Sequence, residues 1–289
     1  MTLTLNPHNL VCDTFGNLET FDPQWLTQQE YWEEFIQAFF ESNGLTYNRV
    51  SDSRVRACID AEDKAAFSSM IDTLLSRLTE SADIQDVNTV LMAHWTPDLH
   101  LGTSVVNHAI HRLNLNEDCF GLAISDRGLS APLFALACLE RYLDQTDEEA
   151  LLLIADQKNL LYKSPLMTRL SPCNSASVLK VEHNGIGWRY RGYRKVPQVS
   201  RPTELAETIQ TLITEFELAS DATVIAEQTC LNALPNGHDY LATDSKLLCS
   251  APFFTLQEQG RIDRDYLLMV YEQDTVYAVG LQGEEASCE

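Results

Sequence analysis

Three short apolar runs, separated by two helical segments, are the strongest constraint on the fold of this 289-residue chain. None of the runs alternates between apolar and polar positions, which is typical of strands buried on both faces. Between them, Thr103–Leu113 has helical apolar spacing, and Leu129–Leu143 is too apolar for a surface helix. This alternation predicts parallel strand pairs in a sheet covered on both faces. The predicted strands are Asn88–Ala93, Cys119–Ile124 and Ala150–Ala155.

A similar alternation returns after Pro172. No low-complexity linker separates the two parts of the chain, so we expect two halves, residues 1–174 and 175–289, that pack face to face. The predicted strands of the second half are Ser175–Glu182, Gly187–Arg194, Thr223–Ala226, Tyr266–Tyr271 and Thr275–Leu281. The further predicted helices are Leu26–Phe40, Asp63–Ser81, Thr203–Leu218 and Leu247–Gln259.

The charge balance excludes several classes of partner. Twenty Lys and Arg against forty-two Asp and Glu give a net charge of -22, whose field repels nucleic acid and anionic membranes. The chain contains no apolar run of 18 residues and no basic segment at its N-terminus. Its eight cysteines form no CxxC motif. These features predict a cytoplasmic protein with reduced thiols, and no metal or cofactor is expected.

Four stretches carry a resemblance to a known family. The segment CFGLAISDRGLSAPLFALACLERYL (Cys119–Leu143) is similar to the part of β-ketoacyl-acyl-carrier-protein synthase III enzymes that presents the nucleophile. The segment EQGRIDRDYLLMVY (Glu258–Tyr271) is similar to their last helix, turn and strand. Val87–Leu115 and Thr223–Leu234 resemble the first strand with its helix and the segment of the catalytic histidine. The chain therefore resembles the thiolase superfamily from about Asp63 to Leu281. The resemblance implies an α/β thiolase fold, with two pseudo-repeated halves in an α-β-α-β-α layered sandwich.

The resemblance also shows which functional positions have changed. Asp126 stands where the family has its cysteine, Glu227 where it has its histidine, and Ala242 or Thr243 where it has its asparagine. The family's glycine-rich turn is replaced by the sequence Glu-Gln-Asp, which begins at Glu272. An ionised Glu227 accepts hydrogen bonds and repels an oxyanion, whereas the family's histidine donates to one. No catalytic residue is therefore expected at these positions.

A chain of this kind has a counterpart in the superfamily. It resembles the ketosynthase-like subunit of the 2-alkyl-4-quinolone synthase heterodimer, which lacks catalytic residues and pairs with an active subunit. The resemblance implies an active ketosynthase III-like partner that handles the acyl-CoA or acyl-carrier-protein substrate of a fatty-acid- or polyketide-derived secondary metabolite. Family dimers join through the strand before the nucleophile, here Cys119–Ile124, with Phe120, Leu122 and Ile124. The loop that ends near Leu101 would reach the partner's pocket.

Two alternatives remain open at the level of sequence. The chain could be a diverged acyltransferase or hydrolase of acyl thioesters that uses Asp126, Glu227 or Cys230, since carboxylates and thiols serve as bases and nucleophiles. It could also be a homodimeric acyl-binding protein. Activity or acyl binding by the isolated chain would separate these alternatives from a silent subunit.

Overall fold

The computed structural model of the protein describes residues 2–100, 102–143, 148–232 and 239–284. Within these residues, ten strands form one mixed sheet in the order β3-β2-β4-β5-β1-β6-β10-β9-β7-β8. The strands are β1 (Leu3–Phe15), β2 (Val87–Ala93), β3 (Phe120–Ile124), β4 (Glu149–Asp156), β5 (Asn174–His183), β6 (Trp188–Pro197), β7 (Thr223–Glu227), β8 (Tyr240–Thr243), β9 (Tyr266–Glu272) and β10 (Thr275–Gln282).

α-Helices connect these strands. Two 3-10 helices, Gly128–Ser130 and Ser245–Ser250, directly precede two of the α-helices. The α-helices are α1 (Gln24–Thr27), α2 (Gln29–Ser42), α3 (Arg49–Asp52), α4 (Val55–Asp60), α5 (Phe67–Leu78), α6 (Val105–Leu113), α7 (Ala131–Tyr142), α8 (Pro165–Leu170), α9 (Pro202–Glu215), α10 (Gln228–Leu231) and α11 (Ala251–Gln259).

The sheet consists of two half-sheets that meet at β1 and β6. β1 pairs with β5 on one side, but with β6 only at Thr4–Arg189 and Leu5–Trp188. β2 is parallel to β3 and β4 in the first half-sheet, and β7 is parallel to β8 and β9 in the second. The short seam between β1 and β6 joins the two half-sheets edge to edge.

Three hydrophobic clusters place the helices in layers around the half-sheets. The central cluster joins α7 and α11 to strands of both half-sheets, including Ile154 of β4 and Leu268 of β9. A second cluster packs α5 and α6 against the outer face of the first half-sheet, and a third packs α9 against the second. The result is the α-β-α-β-α sandwich that the resemblance implied, so the predicted fold class is confirmed.

The two central helices begin with the same three residues. Ser130-Ala131-Pro132 opens α7 and Ser250-Ala251-Pro252 opens α11, and proline is well suited to a first helical turn because it needs no amide hydrogen there. A residue with positive φ precedes each: Gly128 at 59° and Leu248 at 48°. The pseudo-repeat of the two halves therefore extends to the residues that begin the buried helices.

The structure adjusts several element boundaries and adds two strands. The predicted strand Cys119–Ile124 begins at Phe120, and the predicted helix Leu129–Leu143 divides into a 3-10 turn and α7. β1 and β8 were not predicted. The division of the chain at residues 174 and 175 stays a prediction. It falls at the first residue of β5, whose neighbours β4 and β1 both belong to the first half-sheet.

No helix in the described part of the chain is both long enough and apolar enough to cross a bilayer.

Candidate functional site

The start of α7 is the position at which the family resemblance places a nucleophile, and a carboxylate lies against it. Glu272 is the last residue of β9, and its Oε2 accepts a hydrogen bond of 3.0 Å from the Leu129 N–H, with the Ser130 N–H as a second donor. A Cβ added to Gly128 would lie 2.7 Å from this oxygen. The carboxylate therefore occupies the space directly in front of the first turn, where backbone N–H groups favour an anion.

A tight hairpin fixes Glu272 in this position. The next two residues, Gln273 and Asp274, have φ values of 48° and 56°, as in the two-residue turns that match the twist of antiparallel strands. β10 then begins at Thr275 and pairs directly with Glu272. The resemblance implied that Glu-Gln-Asp replaces a glycine-rich turn, but it did not indicate that the glutamate would bind the start of α7.

The residues that the resemblance places at the histidine and asparagine positions lie at the ends of two parallel strands. Glu227 of β7 pairs with Thr243 of β8, and both line a cavity of about 20 Å³ beside Leu129, Leu248 and Tyr271. This volume is about what one water molecule requires. Ala242, the other possible asparagine counterpart, is exposed and does not line the cavity.

Burial raises the pKa of both carboxylates near this cavity. For Glu272 the hydrogen bonds from Leu129 and Ser130 oppose the effect of burial, and the charge of Glu227 adds to it. For Glu227 the nearby Arg169 and a hydrogen bond with Thr229 oppose burial. Neither carboxylate can donate to an oxyanion when it is ionised.

The remaining candidate residues do not line the cavity beside Glu227 and Thr243. The Asp126 side chain is 75% exposed, with its nearest cation, Arg127, at 3.5 Å between Oδ1 and Nε. Cys230 is buried in α10 within the outer cluster of the second half, where burial raises its pKa to about 11. At neutral pH this thiol is protonated and is therefore a poor nucleophile. The structure brings Glu227 and Thr243 together in one cavity, which Asp126 does not line.

Asp156, which the sequence did not single out, connects the loops that surround this region. It ends β4, is fully buried, and its Oδ1 accepts hydrogen bonds from the N–H groups of Trp95 and Thr96 at 2.9 and 2.7 Å. The hydroxyl of Thr96 donates to the same oxygen at 2.9 Å. Oδ2 accepts from the Cys249 N–H at 3.0 Å. One carboxylate thus fixes the loop after β2 to the residues before α11.

Cys249 contacts a residue just before α7, yet it is structural. Its Sγ donates to the carbonyl oxygen of Gly128 at 3.6 Å, and the residue is fully buried. Burial and the charge of Asp156 raise its pKa well above the ordinary value. A neutral thiol in this position packs as a small apolar group.

β3 presents an apolar edge of the sheet. Among the described strands it pairs only with β2, and its residues from Phe120 to Ala123 are exposed. Phe120 packs on Tyr142 at 4.7 Å between ring centroids. Cys119 is half-buried just before the strand, Ile124 is buried in the central cluster, and Leu101 lies outside the described residues. Within the described residues no cluster of histidine, cysteine or carboxylate side chains has a geometry that would hold a metal ion.

The layered fold is that of thiolase-fold condensing enzymes, as comparisons with solved structures show. No protein-family model matches the sequence, and no curated protein matches it significantly. Solved structures match over nearly the whole chain. AbyA1, a tetronic acid condensing enzyme, has a TM-score of 0.65 and 14% identity over 98% of this chain and 100% of its own.

Two further structures extend this likeness. The C-terminal type III polyketide synthase domain of Steely1 from Dictyostelium has a TM-score of 0.65 and 10% identity, covering 98% of this chain and 99% of its own. A variant of OleA from Xanthomonas campestris with bound lauric acid and lauroyl-CoA has a TM-score of 0.60 and 11% identity, covering 97% and 98%. At these identities the likeness shows the fold alone.

Proposed function

We propose that this chain is a non-catalytic ketosynthase III-like subunit that pairs with an active thiolase-fold condensing enzyme. The observation that carries the proposal is the Glu272 carboxylate bound to the backbone at the start of α7. A condensing nucleophile needs this helix end to stabilise its thiolate and needs free space in front of it for an acyl group. In this chain the Glu272 carboxylate occupies both the helix end and the space in front of it.

The size and charge of the neighbouring cavity support the same proposal. Small-molecule sites usually have volumes of roughly 300–1,000 Å³, whereas the cavity beside Glu227 and Thr243 has about 20 Å³. An acyl chain therefore has no room without rearrangement of Leu129 and Leu248. Glu227 would also repel the developing oxyanion of a condensation. These features disfavour both an acyl-transfer enzyme and an acyl-binding protein built on this site.

The β3 edge supports the pairing part of the proposal. Monomeric proteins usually protect an edge strand with charges, proline or a covering element. β3 carries no charged residue, and Phe120 and Leu122 are 42% and 36% exposed. A strand from a second subunit would satisfy its free backbone groups and cover these side chains. An active partner would then supply the cysteine, histidine and asparagine that this chain lacks.

The condensing enzymes with the same fold suggest the chemistry of the complex. Their printed names include a tetronic acid condensing enzyme and a type III polyketide synthase, and one holds lauroyl-CoA. We therefore expect the complex to make a fatty-acid- or polyketide-derived secondary metabolite from acyl-CoA or acyl-carrier protein. Because the net charge of this chain is -22, an acidic carrier protein would dock on the partner.

Co-purification tests the pairing. The chain is co-expressed with an intact ketosynthase III-like enzyme from the same source, and the complex is isolated through a tag on that enzyme. We expect a heterodimer that Leu122→Arg abolishes, because the substitution places a charge in the buried strand pair. Ile186→Arg is the matched control, since Ile186 is 65% exposed in the hairpin between β5 and β6.

Three results would overturn the proposal. One is a stable monomer that binds no ketosynthase under these conditions. Another is transfer of an acyl group from acyl-CoA by the isolated chain, abolished by Glu227→Gln, which would favour the diverged enzyme. Saturable acyl binding by an isolated homodimer without turnover would instead favour the acyl-binding alternative.

A further inference from the structure

One edge of β6 has no strand beside it along most of its length. β10 pairs with β6 as far as Pro197, whereas β1 pairs with it only at Trp188 and Arg189. β1 begins at Leu3, so no described strand lies on that side of residues 191–197. We call this free side of residues 191–197 the β6 edge. At 3.3 Å per residue it is roughly 23 Å long.

The backbone of the β6 edge lacks strand partners on its free side. In an antiparallel ladder, alternate residues direct their N–H and C=O groups away from the neighbouring strand, so part of this backbone faces outward. The carbonyl oxygen of Tyr193 accepts from a side chain instead, Nη1 of Arg194 at 2.9 Å. An open cleft of about 390 Å³ lies where β1 begins, and Thr2 and Arg191 are among its lining residues. This cleft leaves space beside the start of the β6 edge.

The side chains of β6 alternate between two layers, and its positive charges divide between them. Arg194 lies over the ring of Phe216 in the layer of α9, and it pairs with Glu215 of that helix. Lys195 faces the central layer, where its Nζ lies 5.6 Å from the ring centroid of Tyr277. Lys195 is exposed and forms no ion pair with any described residue. Its charge is therefore free on the central side of the β6 edge.

Aromatic rings lie next to Lys195 in the central layer. Tyr193, two residues earlier on the same face of β6, packs edge-on against Phe134 of α7, with 5.8 Å between ring centroids. Arg127 lies over the ring of Phe134, with its Cζ 4.4 Å from the centroid. Residues directly opposite in neighbouring strands project from the same face. An added strand would therefore meet an apolar surface opposite Tyr193 and a positive charge opposite Lys195.

Local charge decides what the β6 edge attracts. The chain has a net charge of -22, but exposed charges more than about 8 Å apart are largely screened at physiological salt. Asp126 pairs with Arg127 at 3.5 Å, which leaves Lys195 without a competing carboxylate there. Glu140 lines the cleft beside Arg191, which is roughly 13 Å along the strand from Lys195. A carboxylate is therefore favoured opposite Lys195 and disfavoured at the Arg191 end.

We propose that the β6 edge binds an extended segment of a partner protein as a further strand of the sheet. The segment runs antiparallel to β6, in line with β1, with an acidic residue opposite Lys195 and an apolar residue opposite Tyr193. Main-chain hydrogen bonds supply the affinity, and this pattern of two side chains supplies the specificity, as in other cases of strand addition. The proposal does not depend on pairing through β3, which lies at another edge of the sheet.

Fluorescence anisotropy with the full chain and a labelled peptide tests the proposal. The seven-residue peptide Thr-Thr-Glu-Thr-Val-Thr-Thr, the Glu peptide, places its Glu opposite Lys195 and its Val opposite Tyr193 in the antiparallel register. We expect saturable binding with a Kd below about 1 mM. The Lys peptide, in which Lys replaces Glu, should bind at least about tenfold more weakly. Hydrogen exchange in residues 188–197 should slow when the Glu peptide is bound.

Methylated peptides separate strand addition from simple charge attraction. Two versions of the Glu peptide carry N-methyl groups on alternate amides, each on one edge of the extended chain, and their charge is unchanged. Only one edge of an added strand bonds to β6, so one version should bind at least about tenfold more weakly than the other. Equal binding of the two versions would overturn the proposal.

Variants assign the binding to the β6 edge. Lys195→Glu should weaken binding of the Glu peptide at least about tenfold and should restore binding of the Lys peptide. Because Lys195 is exposed, this variant should fold normally. Lys163→Glu, an exposed change between β4 and α8, is the matched control and should bind like the wild type.

Three further results would overturn the proposal. One is no saturable binding of the Glu peptide at millimolar concentrations, as expected of an edge that its own charges protect. Another is an unchanged Kd in Lys195→Glu. The third is a dimer of the isolated chain that Lys195→Glu dissociates, which would assign the β6 edge to a second copy. None of these results bears on pairing through β3.

Discussion

Replacement of Asp156 by alanine would remove an acceptor that two loops of the sandwich share. The carboxylate accepts hydrogen bonds from the N–H groups of Trp95, Thr96 and Cys249, and from the hydroxyl of Thr96. Asp156 is fully buried, so solvent cannot replace these bonds without a local opening of the fold. In Asp156→Ala the three backbone donors would be buried without an acceptor.

The expected loss follows from these three donors. A buried donor left without a partner costs about 1–3 kcal/mol. Because the three donors share the two oxygens of one carboxylate and can relax together, their separate costs do not add fully. We expect the free energy of unfolding to fall by about 3–5 kcal/mol, out of a total of roughly 5–15 kcal/mol for a native protein. For a chain of this size such a loss lowers the Tm by about 10 °C.

Urea and thermal unfolding followed by circular dichroism would measure this loss. The free energy of unfolding of Asp156→Asn should lie between those of wild type and Asp156→Ala. The amide keeps one acceptor oxygen, but its NH₂ group is a donor that faces the remaining N–H groups. Asp118→Ala is the matched control, since the Asp118 side chain is exposed and accepts no hydrogen bond within the described residues. A loss below about 1 kcal/mol in Asp156→Ala would refute the idea that these donors depend on Asp156.

Two other predictions concern the buried carboxyl and thiol groups. Burial raises the pKa of Glu272, so its stabilising contribution is complete below the ordinary carboxyl pKa of ~4.3 and is lost as the pH rises through the raised value. The stability of Glu272→Gln relative to wild type should therefore increase between about pH 4.5 and pH 7 in urea titrations, and an unchanged difference would contradict this account. In native protein treated with iodoacetamide, the half-buried thiols should react before the buried ones by peptide mass spectrometry, and urea should abolish the difference; equal native rates would contradict the burial assigned here. The half-buried thiols are Cys119, Cys138 and Cys173, and the buried ones are Cys12, Cys58, Cys230 and Cys249.

Much of the fold could be predicted because its signals are local. The apolar runs that became β2 and β4 have no alternation, and the structure buries both of their faces. The stripe of Phe67, Ile71 and Leu74 predicted α5, which packs these side chains in the second cluster. In each case the pattern lies within one element, and the burial that it implies does not depend on which partner covers it.

β1 could not be predicted in the same way. Its register with β5 shifts between Leu5 and Leu10, where the sequence Asn-Pro-His-Asn interrupts the apolar pattern. The strand exists because β5 and β6 supply hydrogen-bonding partners on both sides at Thr4 and Leu5. A strand whose order comes from its neighbours carries a weak signal of its own.

The sequence by itself determined the alternation of strands and helices, the acidic surface and the absence of a cysteine, histidine and asparagine at the positions that the family resemblance assigns to catalysis. Only the tertiary structure placed Glu272 against Leu129, 143 residues earlier in the chain, and Asp156 against Cys249, 93 residues later. The physical reason is that apolar patterning is set along each element, whereas a buried carboxylate is satisfied by whichever donors the folded chain brings to it from distant segments.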